Sequence, residues 1–223
     1  MRRPVYNSLM SEKQFGDNLQ YQNITISGLP GCGSTTLLNG LRQLLSPYGW
    51  RGFSGGEFMR AYAQEKGLWD KKNAAHHDAN VYSDEFDREV DFGIREKLQQ
   101  QKQWIIESWL SGFMAQQLPG VLKVLLVCHS DDVRIDRVMN RDQVSAETAK
   151  ENTLYRYQTN LDKFSRLYAA QWQEWLVDTG KLSASEAIDF WRRELYDVVI
   201  DTYYLSKEES VAKVLAALRG EET

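Results

Sequence analysis

The chain has 223 residues, 42% of them hydrophobic, which suits one sizeable domain with a buried core. Its formal net charge is −4, so no global basic field draws nucleic acid, and any anion must be held by a local site. Cys32 and Cys128 stand far apart without metal-ligand spacing, and the longest apolar run, Val124 to Cys128, falls far short of the about 20 residues that cross a bilayer, so a cytoplasmic protein with no membrane span is expected.

Residues 1–21 are polar, carry no period and read as an N-terminal arm. From Asn23 the pattern becomes regular: NITIS reads as a short strand, GLPGCGS as a glycine-rich turn and TTLLNGLRQLL as a helix. Trp50 to Phe53 reads as a second strand, leading through Gly55 and Gly56 into a helix, EFMRAYAQEKG, that Gly67 stops. Residues 68–82 are polar and irregular, after which Ser83 opens the helix SDEFDREVDFGIREKLQQQ with acids crowding its first turn. WIIES at 104–108, VLKVLLVCH at 121–129 and DVVIDT at 197–202 read as three more strands. The first two are close to continuously hydrophobic, as strands buried on both faces of a parallel sheet are. Residues 142–193 read as a long helical segment rich in Tyr, Trp, Arg and Gln, and Ser206 with Glu209 forms the capping box of a last helix. Five strands alternating with helices predict a three-layer α/β domain with a mainly parallel sheet over residues 22–220.

Gly28 to Thr35 follows a predicted strand, opens a predicted helix and fits the phosphate-binding template G-x-x-x-x-G-K-[ST] except at the lysine, which is Ser34. Gly28, Gly31 and Gly33 let the backbone through Cys32 turn sharply, so that successive N–H groups and the helix N-terminus face one anion. Thr35 stands where a hydroxyl ligates Mg²⁺, with Thr36 beside it. Ser34 brings no charge, and by analogy with the loss of one preorganised donor the deficit in phosphoryl transfer is about 3 kcal/mol, or a hundredfold in rate. Position 29 is Leu29, which rules out the variant loop that carries its lysine upstream.

The loop and the segments after it resemble the short cytidylate kinases of archaeal and bacterial type, which are P-loop nucleoside monophosphate kinases, over roughly residues 22–215 in order. The resemblance implies the P-loop NTPase fold, a five-stranded parallel sheet flanked by helices, with a helical lid and an insertion at about 140–193. It also implies ATP and Mg²⁺ as cofactors and CMP or dCMP as acceptor. In RGFSGGEFMRAYAQEKG it places Ser54 and Arg60 on the acceptor side, Arg60 meeting the acceptor phosphate with a guanidinium fork. In DREVD it sets Asp91 against the base or ribose. In DDVRIDRVMNRD it finds Arg134, Arg137 and Arg141, whose helical spacing puts them on one face toward one anion, Arg137 and Arg141 serving catalysis. Arg156 in TLYRYQ matches a lid arginine and Lys163 a second basic lid position, which lid closure would bring to the transferring group.

One stretch departs from the family. IIESWLSGFM keeps Glu107, which could hold Mg²⁺ through water, but has Trp109 where an arginine grips the acceptor phosphate; the indole offers a face to a base or simply fills the site. Residues 169–193 form an insertion carrying Trp172, Trp175 and Trp191, read as packing or as the surface for a protein partner. Two functions stay open at this point, a cytidylate kinase and a catalytically impaired nucleotide-binding or protein-interaction module. His76 and His77 adjoin Asp78 without a third ligand nearby, so no metal site is expected there.

Overall fold

The computed structural model describes residues 19–65 and 82–221, less the side chains of residues 60–64 and 152. Five strands, β1 (Asn23–Gly28), β2 (Arg51–Ser54), β3 (Trp104–Glu107), β4 (Val121–Val127) and β5 (Val198–Asp201), form one sheet in the order β2-β3-β1-β4-β5. All neighbours run parallel, with Ile24 opposite both Ile105 and Leu122. The five strands expected from the sequence are these, and the α/β architecture follows from them.

Every residue of β1 is buried, yet it alternates Asn-Ile-Thr-Ile-Ser instead of running apolar. The alternation separates two chemistries. Ile24 and Ile26 point into a core built with Leu38 and Leu41 of α1 (Ser34–Leu45) and Val211 and Leu218 of α8 (Lys207–Leu218). The polar residues face the other side, where each finds partners: Asn23 Nδ2 donates to Leu98 O and Gln101 O, at 3.1 and 2.8 Å, and Ser27 Oγ donates to Ser108 O at 3.2 Å. Buried polar groups are tolerated on these terms.

That second face is covered by α3 (Asp84–Gln100), the single turn α4 (Ser111–Met114) and the insertion. The remaining helices are α2 (Gly55–Glu65), α5 (Asp131–Asp142), α6 (Ala146–Leu167) and α7 (Ala169–Trp172). Ser83 caps α3 by accepting from Phe86 N, and the capping box of α8 at Ser206 and Glu209 is complete in both directions.

The long helical segment read over 142–193 is shorter than expected. Helical structure runs through α6 and α7 and one π turn, Gln173–Val177, and then stops; residues 178–192 turn back without helix. Gly180 takes φ +73° and Leu182 N donates to Leu176 O, so the chain reverses there. The reversal lets the insertion wrap its aromatic side chains inward. Trp172, Trp175 and Trp191 are 4%, 6% and 7% exposed, packed with Phe113, Tyr168 and Phe190, which removes the tryptophans as a partner surface. Burying aromatic area against the sheet is the stronger use of it. Of the N-terminal arm, Leu19 and Tyr21 pack against the first core and Gln20 N donates to Leu218 O; residues 1–18, with His76 and His77, lie outside the described residues. Among the described residues no helix is long and apolar enough to cross a membrane.

Candidate functional site

The loop after central strand β1 lies where neighbours diverge, β3 to one side and β4 to the other, at the carboxyl ends of the strands. Open parallel sheets bind ligands at such a crevice. Gly31 and Gly33 have φ +82° and +89°, a conformation that side chains resist. At Gly31 space forbids a side chain as well, since a Cβ would stand 2.6 Å from Arg134 O. Gly33 is the N-cap of α1 and brings no side chain to its first turn, which leaves N–H groups there for an anion. Thr35 and Thr36, with Gly31 and Gly33, line a cavity of about 510 Å³ closed on its far side by α5 and α8. Gly28 is buried in the strand, and Cys32 is buried beneath the loop with its thiol pushed up to about 11 by burial, which leaves it unreactive.

Ser34 spends its hydroxyl on Glu107, donating to Oε1 at 2.8 Å, while Ser54 Oγ donates to Oε2 at 2.7 Å. The carboxylate thereby ties the loop to the ends of β2 and β3. Hydroxyl and carboxylate oxygens suit Mg²⁺, and each Glu107 oxygen keeps a second lone pair for a metal-bound water. Thr35 and Glu107 thus fit a hydrated Mg²⁺ carried in by phosphates. Among the described residues no group of three His, Cys, Asp or Glu could hold a metal without them.

Of the three arginines of α5, Arg137 and Arg141 line this cavity and Arg134 does not. Arg134 Nε donates to Pro30 O at 3.2 Å, and its Nη1 to Asp131. Arg137 donates to Gly31 O at 3.0 Å and to both Thr202 Oγ1 and Thr202 O, at 2.8 and 2.9 Å. Both brace the loop by its carbonyls, Arg137 against the turn after β5. Arg141 lines the cavity, half exposed, with Asp142 held bidentately at 2.7 Å. Lys207, absent from the sequence reading, lines the same cavity from the first turn of α8. The signal was available: its capping box directly follows the last strand, so that helix starts on the loop side of the sheet.

A second cavity, of about 140 Å³, opens between α2, α3, the end of β3 and α6, with Gly56, Asp91, Trp109, Arg156 and Asn160 in its walls. The side chain of Arg60 lies outside the described residues. Lys163 does not reach this cavity's lining. It is 6% exposed, bound to Asp87 at 2.6 Å and donating to Tyr82 O at 2.8 Å, so it fastens α6 to α3 instead of offering charge to a substrate. Burial raises the Asp87 carboxyl and Lys163 offsets part of that rise. Lys163→Met should therefore cost about 3–5 kcal/mol, since Asp87 would stay buried without its counter-ion; urea unfolding at pH 7 measures the loss.

Asp91 accepts from Tyr168 OH at 2.6 Å, and burial pushes its carboxyl up to about 7. A carboxyl raised in the folded state favours folding when protonated, so its contribution is present below the unfolded value near 4 and is lost as pH rises through about 7. Asp91→Asn should remove that component: the stability of wild type relative to the variant falls between about pH 4 and pH 7. Thermal melts of both proteins across that range read the difference directly.

Comparison with known proteins follows the same lines. Residues 24–158 match AAA_18, an AAA domain. The cytidylate kinase of Methanosarcina barkeri is 30% identical over 181 residues, covering 80% of this chain and 86% of that protein. That of Pyrococcus abyssi is 31% identical over 197 residues, covering 87% and 92%. Among solved structures, an uncharacterized protein from Eubacterium ventriosum superposes with a TM-score of 0.54 at 16% identity over 88% of this chain and 98% of its own, a likeness of fold alone.

Proposed function

The chain belongs to the cytidylate kinase family of P-loop kinases, and from that premise we propose that it transfers the γ-phosphoryl group of ATP to CMP or dCMP, slowly. The observation that carries the reading is the loop: positive-φ glycines at 31 and 33 and a helix start without a side-chain cap, beside a cavity that Arg141 and Lys207 also line. Such a cradle binds phosphate through backbone N–H groups and needs no lysine for that part. ATP would take this cavity and the monophosphate the smaller one beyond Glu107.

Thr35 and Glu107 would hold Mg²⁺, which would supply charge neutralisation at the transferring phosphoryl group. The chain's own residues do the positioning. Arg134 and Arg137 hold the loop carbonyls in place, and Ser34 and Ser54 fix the Glu107 carboxylate. Arg141 brings a cation to the phosphate side, from α5 instead of from the loop. Positioning and charge dominate phosphoryl transfer, so a chain with the cradle and a displaced cation retains the reaction at reduced rate.

A second reading, nucleotide binding without transfer, is favoured by one observation: at the lysine's place Ser34 lines the cavity with no charge and donates its hydroxyl to Glu107. A coupled assay with ATP, Mg²⁺ and each of CMP, dCMP, UMP and AMP separates the two. Turnover highest with CMP or dCMP supports the kinase. Heat protection by an ATP analogue without turnover of any monophosphate leaves the binding reading.

A further inference from the structure

We infer that Trp109 and Trp191 act as positioning residues for Arg156, so that a cation for the acceptor phosphate is carried on α6 and held there by the indole in the family arginine's place. The inference rests on the kinase reading above and deepens it at the acceptor cavity. Among the described residues that line this cavity, Arg156 is the one cation. Its guanidinium carbon lies over the Trp109 ring, 5.5 Å from the centroid.

Trp109 is itself fixed. Trp191 Nε1 donates to Trp109 O at 3.0 Å, and the two rings meet edge to face at 5.6 Å. Tyr157, the neighbour of Arg156 on α6, also packs on Trp191, with centroids 5.6 Å apart. The bracket runs from the strand end through the insertion to α6 and back. It gives the insertion a task at the site: Trp191, 7% exposed, is buried where it sets the Trp109 ring. A cation over an aromatic ring is held there without using an N–H donor, and the guanidinium fork has the shape that meets phosphate bidentately.

Calorimetric titration of CMP and of cytidine, its phosphate-free counterpart, into wild type, Trp109→Leu, Trp109→Phe, Arg156→Ala and the Leu/Ala double variant tests this, with a thermal melt of each protein as control. The affinity ratio of CMP to cytidine should fall about tenfold in Trp109→Leu. Trp109→Phe, which keeps an aromatic face, should restore most of it. The double variant should lose no more than Arg156→Ala alone, the non-additivity of two groups acting as one. Equal losses for CMP and cytidine would mean that the indole packs the base, and additive losses would mean independent roles; either overturns the inference. Unchanged CMP binding in Trp109→Leu overturns it while leaving the kinase reading intact. Absence of CMP binding by folded wild type removes that reading, and the inference with it.

Discussion

Ser34→Lys should raise the rate of CMP phosphorylation by about a hundredfold over wild type. The substitution adds a full charge at the one position where this chain departs from its phosphate-loop template, in a cradle whose other parts are in place. It gives up the 2.8 Å bond from Ser34 to Glu107, but Glu107 keeps Ser54 at 2.7 Å, so the carboxylate stays fixed. The gain should fall on kcat more than on KM, because a cation that meets the moving phosphoryl group acts in the transition state. Steady-state kinetics with ATP and CMP measure both. A rise in affinity without a rise in kcat would place the missing charge outside the transition state.

Arg137→Ala should lower stability by about 3 kcal/mol and weaken ATP by tenfold or more, the second effect following from the first. Three charge-assisted bonds are lost, and the carbonyls of Gly31 and Thr202 lose the donor that joins them. Gly31 is also pressed against the backbone of Arg134, so the loop meets α5 closely where the guanidinium bonds it. Arg137→Lys should recover little, because one ammonium cannot reach three acceptors that a planar fork spans. Arg141→Ala sets the contrast. Its exposed pairing with Asp142 contributes little, so stability should stay within about 0.5 kcal/mol while turnover falls. Urea unfolding beside ATP titration distinguishes a brace from a phosphate contact.

The contrast also marks where sequence reading stops. Helical spacing correctly puts Arg134, Arg137 and Arg141 along one side of α5, but periodicity cannot tell an anion from a row of backbone carbonyls. The carbonyls are there because Gly31 turns against α5, a contact between segments about a hundred residues apart. Lys163 fails for the same reason: its face was legible, its partner Asp87 on another helix was not. In the insertion, composition suggested aromatic helix, while the reversal at Gly180 and the burial of three tryptophans depend on tertiary packing against α4 and the sheet. Local chemistry carried the rest. The five strands, the glycine loop and the capping box at Ser206 are set by neighbours in sequence, and each is where its residues indicate. Lys207 was within reach too, had the start of α8 been placed on the sheet's carboxyl edge.

The most direct test is chromatographic detection of CDP from ATP and CMP with wild-type protein, with and without Mg²⁺. A cradle that survives without its lysine predicts slow, Mg²⁺-dependent CDP formation, about a hundredfold below that of Ser34→Lys. No CDP above the protein-free blank from either protein, under conditions where both bind ATP, would contradict it.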